Sequence, residues 1–302
     1  MKLALVGYGV WGELILRDLL ELGVAVDVVE VNASRRQLAL DAGADGSLAS
    51  IDTIEGVDGI IIATPATTHA AVILQLDACK NTVPIFCEKP LAGSTADARI
   101  LTERAGPPLY VMHIWRYHAG IRKLKEVYES GAIGELTMIR TVRANWTSSR
   151  TDVDALKNLA PHDLSIFQFI IEDLPSVVCA TSERIDGKVV GCIGVLKNDS
   201  GPVCIFEVSN RYGEKRREVR LHGTKGVLVL PHDRGASIQY IRGAGTILPE
   251  MVEAIRFEPV SALKTELIAF LEYLKTGDAS HLCSVEDGAA VVIELDNIFR
   301  FT

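Results

Sequence analysis

The chain has 302 residues, a length that suits about two ordinary domains. With 48% hydrophobic and 23% charged residues, it has the composition of a globular protein that can build its own core. The net charge of −8 argues against nucleic acid or an anionic membrane surface as a partner, and no apolar run is long enough to span a membrane.

Strand-like and helical segments alternate over the first third of the chain. Short apolar runs stop at glycine, proline or a charged residue, and segments with apolar residues at helical spacing follow them. Strands are predicted at 3–6, 25–31, 59–65, 83–87 and 109–112, and helices at 13–23, 34–42, 68–79 and 94–104. This alternation predicts a parallel sheet with helices on both faces, in a domain of residues 1–118.

After about residue 120 the pattern changes to consecutive strands with short turns. Strands are predicted at 134–147, 176–184, 189–197, 202–211, 216–222, 226–230 and 237–242, and helices at 121–129, 161–171, 261–275 and 285–299. This order predicts an α+β domain of residues 119–302 with a mostly antiparallel, open sheet. The last two helices are free to pack back on the first domain.

Residues 7–12, GYGVWG, form a G-x-G-x-x-G loop between a strand and a helix. Gly7 permits the tight turn, Gly9 lets the backbone approach a pyrophosphate, and Gly12 lets the helix pack on the strand. Val10 and Trp11 are the predicted cofactor contacts between the glycines. A plain strand-to-helix turn is the alternative. The loop predicts a doubly wound Rossmann domain, and the fold class is therefore α/β.

An acidic residue follows the second strand, where a ribose contact is expected. Glu30 lies eighteen residues after Gly12. Its carboxylate accepts hydrogen bonds from ribose hydroxyls and repels a 2′-phosphate, which favours NAD over NADP. Arg35 and Arg36 follow closely, and they are read either as partners for a 2′-phosphate or as the solvated start of the next helix.

Three strand ends carry unusual residues: ATPATTH (63–69), CEKP (87–90) and MHIWRYH (112–118). Ligands of open α/β sheets bind at the carboxyl ends of strands. The candidates by position are His69, Lys89, His113, Arg116 and His118. The predicted cofactor contacts at these strand ends are Thr64, Pro65, His69 and Glu88. Lys89 follows apolar strand residues, so its pKa can be lowered there, although an ordinary solvated lysine is the alternative.

The segment EKPLAGS, placed after IIIATPATTHA and the glycine loop, resembles the Gfo/Idh/MocA family of sugar and cyclitol oxidoreductases. RRQLAL, IRKLKEVYESGAIGEL, LHGTKGVLVL and VEDGAAVVIEL are also similar to that family, so the resemblance covers nearly the whole chain. It implies that Lys89 is a catalytic and substrate-binding residue. It also implies hydride transfer between nicotinamide and a secondary hydroxyl or ketone of a sugar or nucleotide sugar.

The resemblance maps a His-Asp pair of the second domain to His162 and Asp163, with His162 as the catalytic base. Asn158 stands four residues before His162, where many members have aspartate. Pro161 suits a helix start, so a helical backbone linking Asn158 to His162 is not expected. LKNLAPHDLSI and GYGVWG are most similar to the branch of UDP-N-acetylglucosamine and UDP-N-acetylglucosaminuronate 3-dehydrogenases, although Glu13 and Leu14 stand where that branch usually has proline and asparagine.

The predicted reaction has Lys89 hold the reacting oxygen while His162 takes the hydroxyl proton. Substrate contacts are predicted at Arg116, Tyr117, Asn145, Trp146, Arg150 and Asn158, and no metal site is expected. Alternatives are an inositol or glucose dehydrogenase, a 3-keto-sugar reductase, or a non-catalytic NAD-binding regulator. Scattered cysteines without a CxxC pair predict a cytoplasmic protein. The sheet of the second domain predicts a homodimer or homotetramer.

Overall fold

The computed structural model describes residues 1–146, 154–243 and 251–302. The chain divides into two compact units. Unit one comprises Met1–His113 and Leu263–Ile293, and unit two comprises Ile114–Ala262 and Glu294–Thr302. The chain therefore first passes from unit one to unit two between His113 and Ile114, whereas the sequence predicted the domain boundary after residue 118.

Unit one is built on a seven-stranded sheet in the order β15-β6-β5-β4-β1-β2-β3. Its strands are β1 (Lys2–Val6), β2 (Ala25–Val29), β3 (Gly46–Leu48), β4 (Gly59–Ile62), β5 (Ile85–Glu88), β6 (Leu109–Met112) and β15 (Cys283–Ser284). All neighbours pair in parallel except the edge strand β15, which runs antiparallel to β6. The order reverses between β1 and β4, the point where doubly wound folds bind their ligands.

The helices of unit one follow its strands in sequence. They are α1 (Val10–Glu21), α2 (Ala33–Asp41), α3 (His69–Ala78), α4 (Thr95–Glu103), α7 (Ala262–Thr276) and most of α8 (Val285–Arg300). Ser94 caps α4, because its side-chain oxygen accepts a hydrogen bond from the Asp97 amide. Because the strands are covered, β1, β4 and β5 have nearly every residue buried, and their residues are apolar apart from Lys2 and Glu88 at the strand ends.

Unit two is built on an eight-stranded sheet in the order β14-β13-β12-β11-β7-β10-β9-β8. Its strands are β7 (Leu136–Trp146), β8 (Val177–Ile185), β9 (Lys188–Leu196), β10 (Val203–Ser209), β11 (Arg211–Gly223), β12 (Gly226–Leu230), β13 (Ser237–Arg242) and β14 (Val252–Arg256). All neighbours are antiparallel except β10 and β7, so the prediction of a mostly antiparallel second sheet is confirmed.

Unit two also holds a short 3-10 helix and two α-helices of its own. The 3-10 helix spans Ile114–Tyr117, and the others are α5 (Ala119–Glu129) and α6 (Ala155–Ile171). Helix α6 packs on β7, β9 and β10. Within the described ranges, none of the helices is long and apolar enough to cross a membrane.

Helix α6 corrects one expectation from the sequence. It begins at Ala155 rather than at Pro161, because the Asp154 side chain accepts a hydrogen bond from the Lys157 amide and caps the helix. Pro161 therefore lies inside the helix, where it removes one backbone hydrogen bond. Asn158 stands four residues before His162 on a continuous helix, so the two residues share one face.

Candidate active site

The turn after β1 requires glycine. Gly7 has φ of +97°, and its amide donates to the Val29 carbonyl at 2.8 Å. A Cβ atom on Gly7 would lie 2.9 Å from the carbonyl of Ala63 and 2.9 Å from the nitrogen of Thr64. The loops that follow β1 and β4 are therefore in backbone contact at the reversal point of the sheet, as a dinucleotide site of this fold requires.

The other two glycines of the loop have different roles. A Cβ on Gly12 would lie 2.2 Å from the Gly7 oxygen, so Gly12 is needed for packing inside the protein. Within the described part of the chain, a Cβ on Gly9 would meet just the Arg35 Nη1 atom, at 3.6 Å. Gly9 is the N-cap residue of α1, and it has no side chain that could accept a hydrogen bond from the first-turn amides. The space over Gly9 and the amides of the first turn suits a pyrophosphate, and Val10 beside it is 78% exposed.

The Glu30 carboxylate is held in place at the end of β2. Its two oxygens accept hydrogen bonds from the amides of Tyr8, at 3.0 Å, and Asn32, at 2.9 Å. Arg35 donates to the Tyr8 carbonyl at 3.3 Å, and Arg36 donates to two backbone carbonyls at 2.7 and 3.0 Å. The residues present therefore fit a dinucleotide whose ribose meets a fixed carboxylate.

His69 joins two of the strand-end loops. Its Nε2 lies 2.8 Å from the Thr64 carbonyl oxygen and its Nδ1 lies 3.0 Å from that of Pro90. The side chain is 1% exposed. Burial lowers the pKa of His69, and the two carbonyls oppose that shift. The imidazole is thus engaged with backbone groups of the protein itself, and it ties the loop after β4 to the loop after β5.

The Glu88-Lys89-Pro90 segment leaves the end of β5. Glu88 is 7% exposed, and its carboxylate accepts a hydrogen bond from the Lys89 amide at 3.0 Å. Burial raises the pKa of Glu88 to about 7, although the Lys89 charge opposes the rise. Lys89 is half-buried, and the Lys89-Pro90 peptide bond is cis.

In unit two, one residue in an otherwise buried stretch of α6 is accessible to solvent. From Leu159 to Gln168 every residue is buried except His162, which is half-buried. Asn158, one turn earlier on the same face, is also half-buried. The helix therefore presents an imidazole and an amide side by side, a pair that suits proton transfer and hydroxyl binding.

The remaining sequence candidates of unit two have varied surroundings. Arg116 donates to the Gln168 side chain at 2.6 Å, and Asn145 is half-buried near the end of β7. Tyr117 is 1% exposed, so its prediction as a substrate contact is wrong: the ring is core. Trp146 is 65% exposed. Arg150 lies outside the described residues.

Two of the positional candidates are histidines with little access to solvent. His118 caps α5 by accepting from the Gly120 amide at 3.2 Å, and its Nε2 donates to the Asp233 carbonyl at 3.0 Å. His113 is fully buried. Among the described residues, no group of three or more His, Cys, Asp or Glu is placed to hold a metal ion.

The sequence did not single out the buried pair of Arg143 and Asp163 as a structural unit. Arg143 Nε lies 3.0 Å from Asp163 Oδ2, and Nη2 lies 3.3 Å from Oδ1. The composition of β7 does not mark Arg143 either, because the same strand carries Arg140 and Asn145. The partners come from a strand and a helix twenty residues apart, and periodicity does not report such a pairing.

A doubly wound sheet with a glycine loop and a fixed carboxylate has the architecture of a dinucleotide-binding protein. Two family models match the chain. The NAD-binding Rossmann-fold model of the oxidoreductase family covers residues 1–106, and the GFO/IDH/MocA C-terminal domain model covers residues 121–229. The chain belongs to the Gfo/Idh/MocA family of oxidoreductases, so the family predicted from the sequence is confirmed.

Known proteins resemble the chain over almost its full length. Inositol 2-dehydrogenase of Rhizobium meliloti is 27% identical, over 86% of this chain and 84% of its own. An Agrobacterium radiobacter oxidoreductase, solved with NAD+, L-tartaric acid and magnesium, has a TM-score of 0.86 at 22% identity, covering 100% and 96% of the two chains. UDP-N-acetylglucosamine 3-dehydrogenase of Acidithiobacillus ferrooxidans has a TM-score of 0.84 at 20% identity, covering 100% and 97%. The two structures confirm the fold.

Proposed function

We propose that this oxidoreductase transfers a hydride between a nicotinamide cofactor and a secondary hydroxyl or ketone of a sugar or nucleotide sugar. The observation that carries the proposal is the half-buried His162 on an otherwise buried stretch of α6, in a family member that also keeps the Glu-Lys-Pro lysine. Inositol 2-dehydrogenase and UDP-N-acetylglucosamine 3-dehydrogenase, both named for oxidising ring hydroxyls, support the substrate class.

NAD is the preferred cofactor in this proposal. The Glu30 carboxylate is fixed by two backbone amides, so it is placed to accept from ribose hydroxyls and to repel a 2′-phosphate. Arg35 and Arg36 already donate to backbone carbonyls, which weakens the alternative that they hold a 2′-phosphate. We expect NADH to bind more tightly than NADPH. In Glu30→Gln, we expect the dissociation constants of NADH and NADPH to lie closer together than in wild type.

The catalytic and binding residues have separate roles in this proposed reaction. When bound, the nicotinamide accepts or supplies the hydride. Lys89 holds the reacting oxygen and stabilises the charge that develops on it, while His162 accepts the hydroxyl proton. Asn158, Arg116 and Asn145 orient the sugar. The glycine loop with Val10 and Trp11, together with Glu30, Thr64, Pro65 and Glu88, binds the cofactor, and His69 holds the loops around it.

The substrate is tested by a screen that follows NADH formation. The panel is UDP-N-acetylglucosamine, its uronate, free N-acetylglucosamine, glucose and myo-inositol, each with NAD and with NADP. Turnover of a nucleotide sugar with NAD is the expected result. Turnover of myo-inositol alone favours an inositol-type dehydrogenase, the alternative that the relative from Rhizobium meliloti supports. NADH binding without turnover in either direction, including reduction of 3-keto sugars, favours a regulatory protein and contradicts the proposal.

We also propose that the protein is cytoplasmic and forms a homo-oligomer. All six cysteines are free, and burial raises the pKa of Cys87, Cys192 and Cys204, which suits stable thiols in a reducing compartment. Oligomer formation is supported by the sheet face of unit two opposite α6. Ile193 is 47% exposed on that face, and the face also carries the ion pairs of Arg140 with Glu207 and of Arg220 with Glu218. A mixture of apolar and oppositely charged groups suits a contact between two copies of one face.

A further inference from the structure

The Arg143–Asp163 pair lies one residue from His162 and is almost completely removed from solvent. Arg143 is 3% exposed and Asp163 is 0% exposed. Two hydrogen bonds join the guanidinium edge to both carboxylate oxygens, at 3.0 and 3.3 Å. A bidentate pair of this kind fixes direction as well as distance, because both planar groups must stay aligned.

The guanidinium of Arg143 also packs against the face of an aromatic ring. Arg143 Cζ lies 4.0 Å from the centroid of the Trp115 ring. Trp115 stacks on His118 at 5.1 Å, and both nitrogens of His118 are hydrogen-bonded to the backbone. The chain of contacts therefore starts at the N-cap of α5 and ends at Asp163 on α6.

Helix α6 needs an external support at this position. Pro161 has no amide hydrogen, so the bond that would join residues 161 and 157 is missing immediately before His162. The Ser165 hydroxyl donates to the His162 carbonyl at 2.8 Å, which adds one local contact. The ion pair of Asp163 with Arg143 joins this turn to β7. The Trp115 ring also lies 6.4 Å from the His162 ring.

We propose that Arg143 is a positioning residue for His162: clamped between Trp115 and Asp163, it sets the rotation of α6 and so the direction of the imidazole. This inference rests on the proposed role of His162 as the base. A buried ion pair contributes little net stability, because removing both charges from water costs free energy. It does favour one arrangement of the two elements that it joins. Truncating Arg143 therefore affects the chemical step more than it affects cofactor binding.

The test compares Arg143→Gln, Arg143→Lys and Asp163→Asn with a matched control, Arg104→Gln. Arg104 and Asp77 form another shielded ion pair, at 2.8 Å, in unit one. We expect Arg143→Gln to lower kcat at least about tenfold, because a small misplacement of a catalytic group is costly, while the Kd for NADH stays within about twofold. Arg143→Lys restores part of kcat. Arg104→Gln lowers the melting temperature but leaves kcat within about twofold of wild type.

A second readout needs no turnover: the NMR titration of the His162 imidazole, assigned with His162→Gln. Among the described residues, the charged or titratable groups that contact this part of α6 or its ion pair include Asp163, Arg143, Arg116, His118 and Arg217. Asp163→Asn leaves the Arg143 charge unbalanced beside His162, so the pKa of His162 falls, and the acid limb of the kcat/KM profile moves to lower pH with it. Arg143→Lys keeps the charge balance and leaves the pKa near wild type.

Two results overturn the inference. One is an equal loss of kcat in Arg143→Gln and Arg104→Gln after correction for the folded fraction, which makes Arg143 a purely structural residue. The other is a His162 pKa that does not move in Asp163→Asn. If wild type turns over no sugar, the proposed function fails instead, and the NMR titration still decides whether the pair acts on His162.

Discussion

At the scale of single residues, the buried carboxyl of Glu88 predicts how the free energy of unfolding depends on pH. Its pKa is raised from 4.5 to about 7, mainly by burial. Between those values the folded protein binds more protons than the unfolded chain, so stability falls as pH rises through this window. The shift corresponds to about 3 kcal/mol. Glu88→Gln keeps an acceptor for the Lys89 amide and removes the titration.

The measurement is urea unfolding of wild type and Glu88→Gln at pH 5 and pH 8. We expect wild type to lose about 2.5 kcal/mol more than the variant does between these pH values, because pH 5 lies just above the pKa of the unfolded chain. Glu103→Gln, which changes an exposed carboxylate at the end of α4, is the control and should follow wild type. Parallel pH dependences of wild type and Glu88→Gln would show that Glu88 does not titrate in this range.

At the scale of elements, substitutions in the β1–α1 turn distinguish an effect on folding from an effect on cofactor binding. Gly9 has an extended backbone with φ of −87°, and an added Cβ meets no atom of the described residues closer than 3.6 Å. Gly9→Ala should therefore keep the melting temperature within a few degrees. Its methyl group enters the space proposed for the pyrophosphate, so we expect NADH to bind at least about tenfold more weakly.

Gly12→Ala provides the contrast, because its Cβ would lie 2.2 Å from a backbone oxygen. We expect this variant to lose stability as well as binding. Both quantities are read from thermal denaturation and from NADH fluorescence titration. Unchanged NADH affinity in a folded Gly9→Ala protein would place the pyrophosphate elsewhere.

The elements also show how much of the fold the sequence determines. Alternating strands and helices, and the Ser94 cap of α4, were predictable because periodicity and capping are local. The start of α6 was not, because the Asp154 cap and the burial of Leu156 and Leu159 outweigh the bond lost at Pro161. Strands β3, β14 and β15 were also missed. They have two to five residues each, and pairing with neighbours rather than composition defines them.

The candidate site divides in the same way. The glycine loop, Glu30 and the Glu-Lys-Pro segment are contiguous patterns that a sequence displays directly. The contacts of His69 with two carbonyls, and of Arg143 with Asp163, join distant segments and needed coordinates. Tyr117 illustrates the opposite error, since its place beside Arg116 suggested a ligand contact but its ring is buried.

At the scale of the whole molecule, the open face of the unit two sheet predicts self-association. Ile193 pairs in register with Glu207, which pairs with Val142, and these side chains share the face opposite Arg143. Because Ile193 is 47% exposed, Ile193→Glu should not disturb the fold. We expect light scattering to show a smaller species for this variant than for wild type.

The control for this prediction is Leu74→Glu, which changes an exposed apolar residue on α3 of unit one. It should leave the oligomer intact. A wild-type protein that is monomeric at micromolar concentration, or an oligomer that dissociates in Leu74→Glu and not in Ile193→Glu, would contradict the assignment of this face.

The most direct test of the account is the initial rate of NADH formation by wild type, Lys89→Met and His162→Ala on the best substrate of the screen. The account predicts that each variant loses at least about a hundredfold in kcat, because each removes a group that acts on the reacting hydroxyl. NADH affinity should remain near wild type in both. Turnover near the wild-type rate in either variant would contradict the proposed chemistry.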